Sequence, residues 1–426
     1  MRLALSLSAS LALLVVVACS DGGEPATDAT GSSGGGASSS SGSSGSSSGG
    51  DDAGNADAET DAGNADAGTD AGDTDAGTDA GDADVPAPAE VQLIGRWDRA
   101  NPSKPRASWP GSQLVASFTG PSARITVSSV AGGDGNETWL NVLVDGVAKP
   151  PVKVDGPNEE IVLASGLGAG THTVVVEKRT EAKWGTITVE DLAFDGGQLV
   201  APPPRKTRRI EFVAESTISG FGVEGDLATT CFDDSGAPFA PARFDNARKS
   251  MAFYASASLS AEHHLIAASA KGIVRNDDGT TVFMPALSAR TLTNDAASSW
   301  DFSSWTPDVV VLSLGGTDLA GGATPPAGFQ AAYDGLVGSI RTRHPNAHIY
   351  MTVWSQIKGV TRTALVSVLD AIKTARAGDT KLHVFSFTEA TYPIDETGCY
   401  YHANDAHHQE AAPELVAAIK TATGWN

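Results

Sequence analysis

The sequence is short of three things, and each absence limits what the chain can be. It has only 3 cysteines among 426 residues, and no cluster of His and Cys has the spacing of metal ligands, so no metal or cofactor is predicted. Residues 21–90 contain no Lys or Arg and almost no large apolar side chain. Such a segment cannot bury enough apolar surface to offset the entropy of ordering its chain.

Much of the negative charge belongs to that same segment. It holds 16 acidic residues, whereas the rest of the chain has 35 acidic and 29 basic residues. The part of the chain that can fold is therefore only mildly acidic, and this balance argues against nucleic acid as a partner. Residues 19–89, in which Asp-Ala-Gly recurs from Asp52 to Gly81, are interpreted as a disordered, acidic linker.

The N-terminus has the layout of an export signal. One positive charge precedes an apolar run that ends at Val17 and is too short to span a bilayer. Val16-Val17-Ala18-Cys19 resembles a bacterial lipobox, which implies a signal peptide over residues 1–18 and a lipid on Cys19. The alternative is an ordinary signal peptide with an incidental cysteine. We expect an exported lipoprotein of a Gram-negative cell envelope or surface, held to the membrane by this lipid only.

Residues 90–203 are predicted to form an all-β domain. Short segments of β-branched or alternating apolar residues are separated by Gly, Pro, Asp and Asn, and Asp145-Gly146 has the signature of a hairpin turn. The predicted strands are residues 114–118, 123–128, 139–144, 160–163 and 172–177. Regular short strands without helical periodicity favour a β-sandwich of the jelly-roll type.

Residues 206–426 alternate between apolar strands and helices, which predicts an α/β domain. The predicted strands are residues 210–213, 263–269, 308–314, 348–354 and 382–387, and the predicted helices are residues 244–259, 328–344, 361–377 and 408–421. This alternation implies a parallel sheet covered on both faces, as in a three-layer flavodoxin-like fold. Right-handed crossovers place the loops that follow the strands along one edge of the sheet.

Residues suited to catalysis fall in those loops. Ser216 follows the first strand, and three of the nine histidines, His402, His407 and His408, precede or open the last helix. A serine hydroxyl is a poor nucleophile unless a base takes its proton, and imidazole is suited to that near neutral pH. Ser216 is therefore the candidate nucleophile. The residues around Ser216 fit a second interpretation equally well, in which Ser216 only begins a loop. At least one of the three histidines should be a surface residue or a helix cap.

Short blocks in both regions resemble carbohydrate esterase family 2, in which a jelly-roll domain precedes an SGNH hydrolase domain. The similar blocks of the first region are Gly95-Arg-Trp-Asp98, Trp109-Pro-Gly-Ser112, Asn141-Val-Leu-Val-Asp-Gly146, Gly170-Thr-His-Thr173 and Lys178-Arg-Thr-Glu-Ala182 with Gly185. Those of the second region are Ile210 to Gly222 around Ser216, Lys271-Gly-Ile-Val-Arg-Asn276, Trp300-Asp-Phe302, Pro307 to Asp318, and Gly398-Cys-Tyr-Tyr-His402.

The resemblance implies a serine esterase that works through a covalent acyl-enzyme. It assigns Ser216 as the nucleophile and His402 as the base. It assigns the oxyanion hole to Ala270, Gly272 and Thr317, and substrate binding to Tyr401 and Trp354. The tryptophans of the first region either stack on sugars or, for most of them, pack in the core and between domains; they are Trp97, Trp109, Trp139 and Trp184.

The blocks depart from the family pattern at the site itself. Ala214-Glu215 stands where the family has Gly-Asp, Ala270 where it has Gly, and Thr317 where it has the oxyanion Asn. Tyr400 replaces the Asp that would orient the base, and Tyr401 replaces a Trp. Losing one oxyanion donor typically costs about 10²–10³ in rate, although the Thr hydroxyl can partly substitute, and the family resemblance allows a backbone carbonyl to orient the base.

The base has two possible registers. His402 matches the spacing of the Gly-Cys-x-x-His block, whereas His408 completes Asp405-Ala-His-His408, a pattern that would restore a full triad. We prefer His402, because Gly398 and Cys399 anchor its register. The same blocks place Cys231 after the Ser216 loop and Cys399 before His402, which motivates a Cys231–Cys399 disulfide across the site.

The sequence therefore predicts a monomeric carbohydrate esterase that removes O-acetyl groups from polysaccharide of the acetylxylan type, without a metal or cofactor. The alternative is a catalytically impaired SGNH scaffold that acts as a surface carbohydrate-binding lipoprotein. This alternative rests on four altered positions at one site, Ala214, Glu215, Thr317 and Tyr400.

Overall fold

The computed structural model describes residues 90–227, 231, 241–320, 322, 324–391 and 397–426. The predictions for residues 1–18, Cys19 and the linker 19–89 lie outside the described residues. The two sheet systems described below belong to one compact unit, residues 80–426. Within the described part of the chain, no helix is long and apolar enough to cross a membrane.

The first region contains two antiparallel sheets. Its strands are β1 Gln92–Ile94, β2 Arg106–Ala107, β3 Gln113–Thr119, β4 Ala123–Val130, β5 Thr138–Val144, β6 Val147–Ala148, β7 Val152–Val154, β8 Glu159–Ala164, β9 Thr171–Lys178, β10 Thr186–Ala193 and β11 Leu199–Val200. One sheet has the order β1-β3-β9-β5-β6, with β11 on β3 and β7 on β5, and the other has the order β2-β10-β4-β8. We call this region the sandwich.

The inward faces of the two sheets form one apolar core. Phe118 and Leu140 from one sheet meet Ile125 and Ile187 from the other in a single buried cluster. The predicted hairpin is present between β5 and β6, where Asp145 and Gly146 both have positive φ, as a type I′ turn requires. The jelly-roll strand order stays a prediction, and β10 is a strand that the sequence pattern did not reveal.

The second region is an α/β domain around five parallel strands. They are β12 Arg208–Ala214, β13 Ala261–Ala267, β14 Val309–Ser313, β15 His348–Val353 and β16 Leu382–Ser386, in the order β13-β12-β14-β15-β16. The helices are α1 Ser216–Ser219, α2 Met251–Ser258, α3 Met284–Leu287, α4 Gly316–Leu319, α5 Phe329–Arg343, α6 Gly359–Ala375 and α7 Asp405–Thr423. The predicted parallel sheet is confirmed, and its order is that of doubly wound flavodoxin-like folds.

Helices cover both faces of this sheet. Side chains of α5 and α6 pack with one face in a cluster that includes Tyr333 and Leu369. Side chains of α2 and α7 pack on the other face in a cluster that includes Met251 and Leu415. Two helix starts differ from the prediction because capping residues fix them: the Ser250 side chain accepts from the N–H of Phe253, and α7 begins at Asp405, after its cap Asn404.

The sandwich and the α/β domain are joined by buried contacts. Trp109 is 1% exposed and belongs to the core of the α/β domain. Arg96 is buried, pairs with Glu211 at 2.8 Å and donates to the carbonyl of Ser288 at 2.6 Å. Burying that charge is tolerable because its guanidinium is paired and hydrogen-bonded.

Candidate active site

Ser216 stands at the edge of the sheet where the parallel strands end. β12 stops at Ala214, Glu215 has extended backbone, and Ser216 opens the single-turn helix α1. The Ser216 hydroxyl oxygen Oγ lies 2.7 Å from Nε2 of His402, which comes from the loop before α7. The structure therefore brings the predicted nucleophile and the preferred base into hydrogen-bond contact, although they are 186 residues apart in sequence.

Backbone carbonyls orient His402. Its Nδ1 lies 3.0 Å from the carbonyl of Tyr400 and 3.2 Å from that of Cys399. A carbonyl can only accept, so Nδ1 carries the proton and donates, which leaves the Nε2 lone pair facing Ser216. Burial is the main reason that the pKa of His402 is lowered to about 4; the two carbonyls oppose this shift, and the Lys183 charge adds to it. The imidazole is therefore neutral near pH 7, as a base must be.

The loop that carries His402 is fastened to the loop that follows α1. The structure pairs Cys231 with Cys399 in a disulfide with a Cα–Cα distance of 5.1 Å. The N–H of Cys399 also donates to the carbonyl of Gly222 at 3.1 Å. Gly222 has φ +58°, and a Cβ on it would lie 2.6 Å from Cys399 Cβ, so the close approach requires glycine.

Two backbone N–H groups beside Ser216 are free to hold an oxyanion. Within the described residues, neither the N–H of Ser216 nor that of Ala270 donates a hydrogen bond to the protein, and both residues line the same cavity. Ala270 follows β13 and has φ +61°, a left-handed conformation in which a non-glycine residue is uncommon.

The prediction for Gly272 is wrong. Its N–H donates to the Oδ1 of Asn276 at 3.0 Å, and the next three N–H groups, of residues 273–275, donate to Asp318. A Cβ on Gly272 would lie 2.2 Å from the Arg275 carbonyl. Gly272 is thus required for a tight loop whose donors are already used, and not for the oxyanion.

Thr317 lies on the cavity wall but its N–H is occupied. It donates to Glu215 at 3.0 Å, and the Gly315 N–H donates to the same carboxyl at 2.7 Å. The Thr317 hydroxyl also hydrogen-bonds Glu215. Glu215, the residue next to the nucleophile, therefore holds the loop after β14 through these hydrogen bonds. Burial raises the pKa of Glu215 to about 8, although those backbone donors oppose the shift, so the carboxyl is largely protonated at pH 7.

The site opens into a cavity of about 580 Å³, a size typical of ligand pockets. Its lining residues are Asp134, Lys183, Trp184, Glu215, Ser216, Thr217, Phe221, Ser269, Ala270, Asp277, Gly316, Thr317, Ala320, Tyr400 and His402. The first three of these belong to the sandwich. The sandwich therefore forms part of the cavity wall.

The two predicted substrate-binding aromatics are placed elsewhere. Tyr401 is 57% exposed and does not line this cavity; its neighbour Tyr400, 48% exposed, does. Both have positive φ, which turns the chain so that the first of the two faces the cavity. Trp354 is buried, packs edge-on against Phe387, and donates its indole N–H to Gln356. It is a core residue, so the prediction for Trp354 is corrected, whereas the prediction for Tyr401 stays a prediction.

The alternative base pair is also wrong. His408 is buried, and its Nδ1 accepts the backbone N–H of Met251 at 3.1 Å. Asp405 pairs with Lys249 at 2.9 Å and accepts hydrogen bonds from Tyr254 and Gln409. Neither side chain contacts Ser216, because the Asp-x-x-His spacing lies on the first turn of α7 and faces α2.

Phe221, Lys183 and Asp134 are among the cavity residues that sequence reasoning missed. Phe221 packs edge-on against the His402 ring with centroids 4.9 Å apart, and Lys183 lies over the Phe221 ring and pairs with Asp134. The only signal for Lys183 was its position inside a block shared with the esterase family, between Ala182 and Gly185. Phe221 stood within the Ser216 block, where nothing distinguished it from a core residue.

Comparisons with known proteins agree with this architecture. A family model described as "Carbohydrate esterase 2 N-terminal" matches residues 93–204. The chain is 32% identical over 338 residues to the "Cellulase/esterase CelE" of Acetivibrio thermocellus, covering 78% of this chain and 39% of that protein. It is 24% identical over 346 residues to an "Acetylxylan esterase / glucomannan deacetylase" of Cellvibrio japonicus, covering 79% of this chain and 89% of that protein.

Solved structures give the same picture. The structure of a family two carbohydrate esterase from Clostridium thermocellum in complex with cellohexaose matches with TM-score 0.72 and 30% identity, over 79% of this chain and 100% of that chain. A family two carbohydrate esterase from Cellvibrio japonicus matches with TM-score 0.69 and 21% identity, over 79% of this chain and 96% of that chain, and shows likeness of fold.

Proposed function

The chain belongs to carbohydrate esterase family 2, and on that premise we propose that it is a serine esterase that removes O-acetyl groups from polysaccharide. The observation that carries the proposal is the 2.7 Å contact between Ser216 Oγ and His402 Nε2. Because Nδ1 of His402 carries a proton that it donates to two carbonyls, Nε2 has a free lone pair. In this contact the Ser216 hydroxyl is therefore the donor and Nε2 the acceptor. A triad carboxylate is not needed to set that tautomer.

The reaction then proceeds in two halves. Ser216 Oγ attacks the ester carbonyl carbon while His402 Nε2 takes the hydroxyl proton, and the N–H groups of Ser216 and Ala270 stabilise the oxyanion. The Thr317 hydroxyl can join these donors only by giving up its hydrogen bond to Glu215. Collapse breaks the bond to the sugar oxygen, which receives the proton from His402. Water, deprotonated by His402, then attacks the acetyl-Ser216 carbonyl carbon. Collapse breaks the bond to Ser216 Oγ, which receives the proton back from His402 as acetate leaves.

Acetylated polysaccharide of the acetylxylan type is the substrate class that we propose. Relatives of this chain are described as acetylxylan esterase and glucomannan deacetylase, and the cavity of about 580 Å³ is open at its mouth beside the exposed Tyr400. Lys183 and Asp134 pair with each other at the wall, so these two charges balance each other.

The remaining features of the whole protein are part of the same proposal. The sandwich is a jelly roll, and the protein works as an exported monomer on a Gram-negative cell envelope, tethered through a lipid on Cys19 and the linker 19–89. It does not use nucleic acid as a partner. The chain spans only about 39% of the length of CelE. The named relatives are esterases, so the impaired-scaffold alternative gains no support from them.

Capture of the acyl-enzyme tests the mechanism. Intact mass measured during turnover of 4-nitrophenyl acetate should show a single added acetyl group, and peptide mapping should place it on Ser216. The Ser216→Ala variant should acquire none. Steady turnover by a wild-type protein whose acetyl group sits on another residue, or that never carries one, would contradict the Ser216 mechanism.

A further inference from the structure

One buried carboxylate of the sandwich reaches the loops of the α/β domain. Glu181 precedes the short 3-10 helix Ala182–Trp184 and is 2% exposed. Its Oε1 lies 2.5 Å from the Ser219 hydroxyl, whose single proton is shared with the Ser216 carbonyl 2.6 Å away, and accepts from the Ser269 hydroxyl. Its Oε2 accepts from the Ser269 backbone N–H at 2.6 Å. A single side chain therefore bonds two separate segments, which lie 38 and 88 residues away.

Those two segments are the ones that carry the reacting groups. Ser219 is the last residue of α1, the four-residue helix that Ser216 opens. Ser269 directly precedes Ala270, which lines the cavity and whose N–H donates to no described residue. A single helical turn has little stability of its own, and Ala270 sits in a left-handed conformation. Both segments therefore need an external hold to keep a fixed spacing.

The surroundings of Glu181 supply hydrogen-bond partners for a buried carboxyl group. The Lys178 ammonium is fully buried and donates to the carbonyls of Thr180 and Glu181. Burial and the neighbouring Glu181 charge raise the pKa of Asp245, which accepts the N–H of Gly222 and the indole N–H of Trp184. A buried charge needs such hydrogen bonds and a nearby cation. Glu181 accepts from the hydroxyl and the N–H of Ser269, and the nearby cation is Lys183, whose ammonium the Glu181 charge stabilises.

We propose that Glu181 is a positioning residue that sets the distance between the nucleophile and the oxyanion-binding N–H group, so that the sandwich completes the active site. The inference rests on the proposed esterase function. It predicts that Glu181 contributes to the rate of the chemical step and not to substrate binding, because its carboxylate does not line the cavity whereas Ser216, Ser269 and Ala270 do.

The test is the substitution Glu181→Gln, which keeps the size of the side chain. A Gln amide keeps one acceptor oxygen for the two hydroxyls but sets an NH2 donor against the Ser269 N–H. The matched control is Glu160→Gln, an exposed sandwich residue that pairs with Arg124 at the surface. Ser269→Ala is the second variant. It removes only the hydroxyl contact and keeps the backbone bond, so it remains informative if Glu181→Gln folds poorly.

The readouts separate positioning from folding. Active sites are counted by titration with a fluorophosphonate, and kcat and KM for 4-nitrophenyl acetate are given per titrated site. Misplacing an oxyanion donor lowers the rate by about 10²-fold. We expect Glu181→Gln to lose about 10- to 100-fold in kcat with KM nearly unchanged. Affinity for a boronic acid, whose tetrahedral adduct uses the same donors, should fall in parallel. Ser269→Ala should lose about 3- to 10-fold, and Glu160→Gln nothing.

Wild-type kcat per titrated site in both Glu181→Gln and Ser269→Ala would overturn the proposal. If the wild-type protein hydrolyses no ester at all, the proposed function fails instead, and hydrogen exchange then decides the positioning role. Faster amide exchange across residues 267–273 in Glu181→Gln would support it, and unchanged exchange would overturn it.

Discussion

Acidifying the assay tests the environment that the structure gives the base. His402 is buried against Phe221, and burial lowers its pKa to about 4. Its Nδ1 faces carbonyls and not a carboxylate, so no negative partner raises the pKa again. The neutral imidazole is the form that accepts the Ser216 proton, so activity is lost only as the pH falls through the His402 pKa.

The size of the effect follows from that value. At about pH 5.5, a histidine with the ordinary pKa of about 6.5 is neutral in about one molecule in ten. With a pKa of about 4, His402 is still neutral in more than about nine-tenths of the molecules at that pH. The two cases differ about ten-fold in kcat/KM, which a routine assay resolves.

The assay is kcat/KM for 4-nitrophenyl acetate from about pH 3.5 to about pH 9, read at the isosbestic wavelength of 4-nitrophenol, with circular dichroism at each pH to confirm folding. Glu215, with a pKa raised to about 8 by burial, should give any alkaline limb, and Glu215→Gln should remove that limb without moving the acid one. An acid limb centred at the ordinary histidine pKa of about 6.5 in folded protein would refute this account of His402.

Three other predictions follow from the same contacts. His402→Ala should lower kcat by about 10²–10⁴-fold. His408→Ala should keep kcat but lower the free energy of unfolding, measured in urea, by about 1–3 kcal/mol. The reverse pattern would show that His408, with Asp405, is the base. Tyr400→Ala should raise KM for acetylated xylan by about 2- to 10-fold and Tyr401→Ala should not, and equal effects would contradict the placement of these side chains. Reducing the disulfide, which joins residues 168 apart, should cost about 2–5 kcal/mol of unfolding free energy and lower kcat; an unchanged melting temperature would contradict it.

Most of the architecture could be predicted from the sequence, because strand and helix periodicity are local signals. The strands around Val311 and Met351 are short apolar runs, and the helices between them show amphipathic spacing, so the parallel sheet could be predicted. The edge that gathers Ser216 and His402 follows from that topology. β10 was missed although Thr186 to Glu190 alternate between polar and apolar residues, because a β-bulge between Val189 and Asp191 ends that alternation after five residues.

The finer geometry of the site depends on contacts that no spacing reveals. The left-handed backbone at Tyr400 and Tyr401 decides which of the two side chains lines the cavity. The Gly272 N–H is not available to an oxyanion because it donates to the side chain of Asn276, four residues further along. Glu181 acts on partners far away in sequence. The Glu181 contacts depend on how the sandwich packs on the α/β domain, whereas the tyrosine and Gly272 geometries depend on local turns. Periodicity carries no information about either.

The most direct test of the central claim is acetate release from acetylated xylan, comparing the purified protein with Ser216→Ala. The Ser216–His402 contact predicts release by the wild-type protein and a loss of about 10³-fold or more in the variant. Full activity in Ser216→Ala would contradict the serine mechanism. A folded wild-type protein that releases no acetate from any acetylated glycan would contradict the esterase function itself.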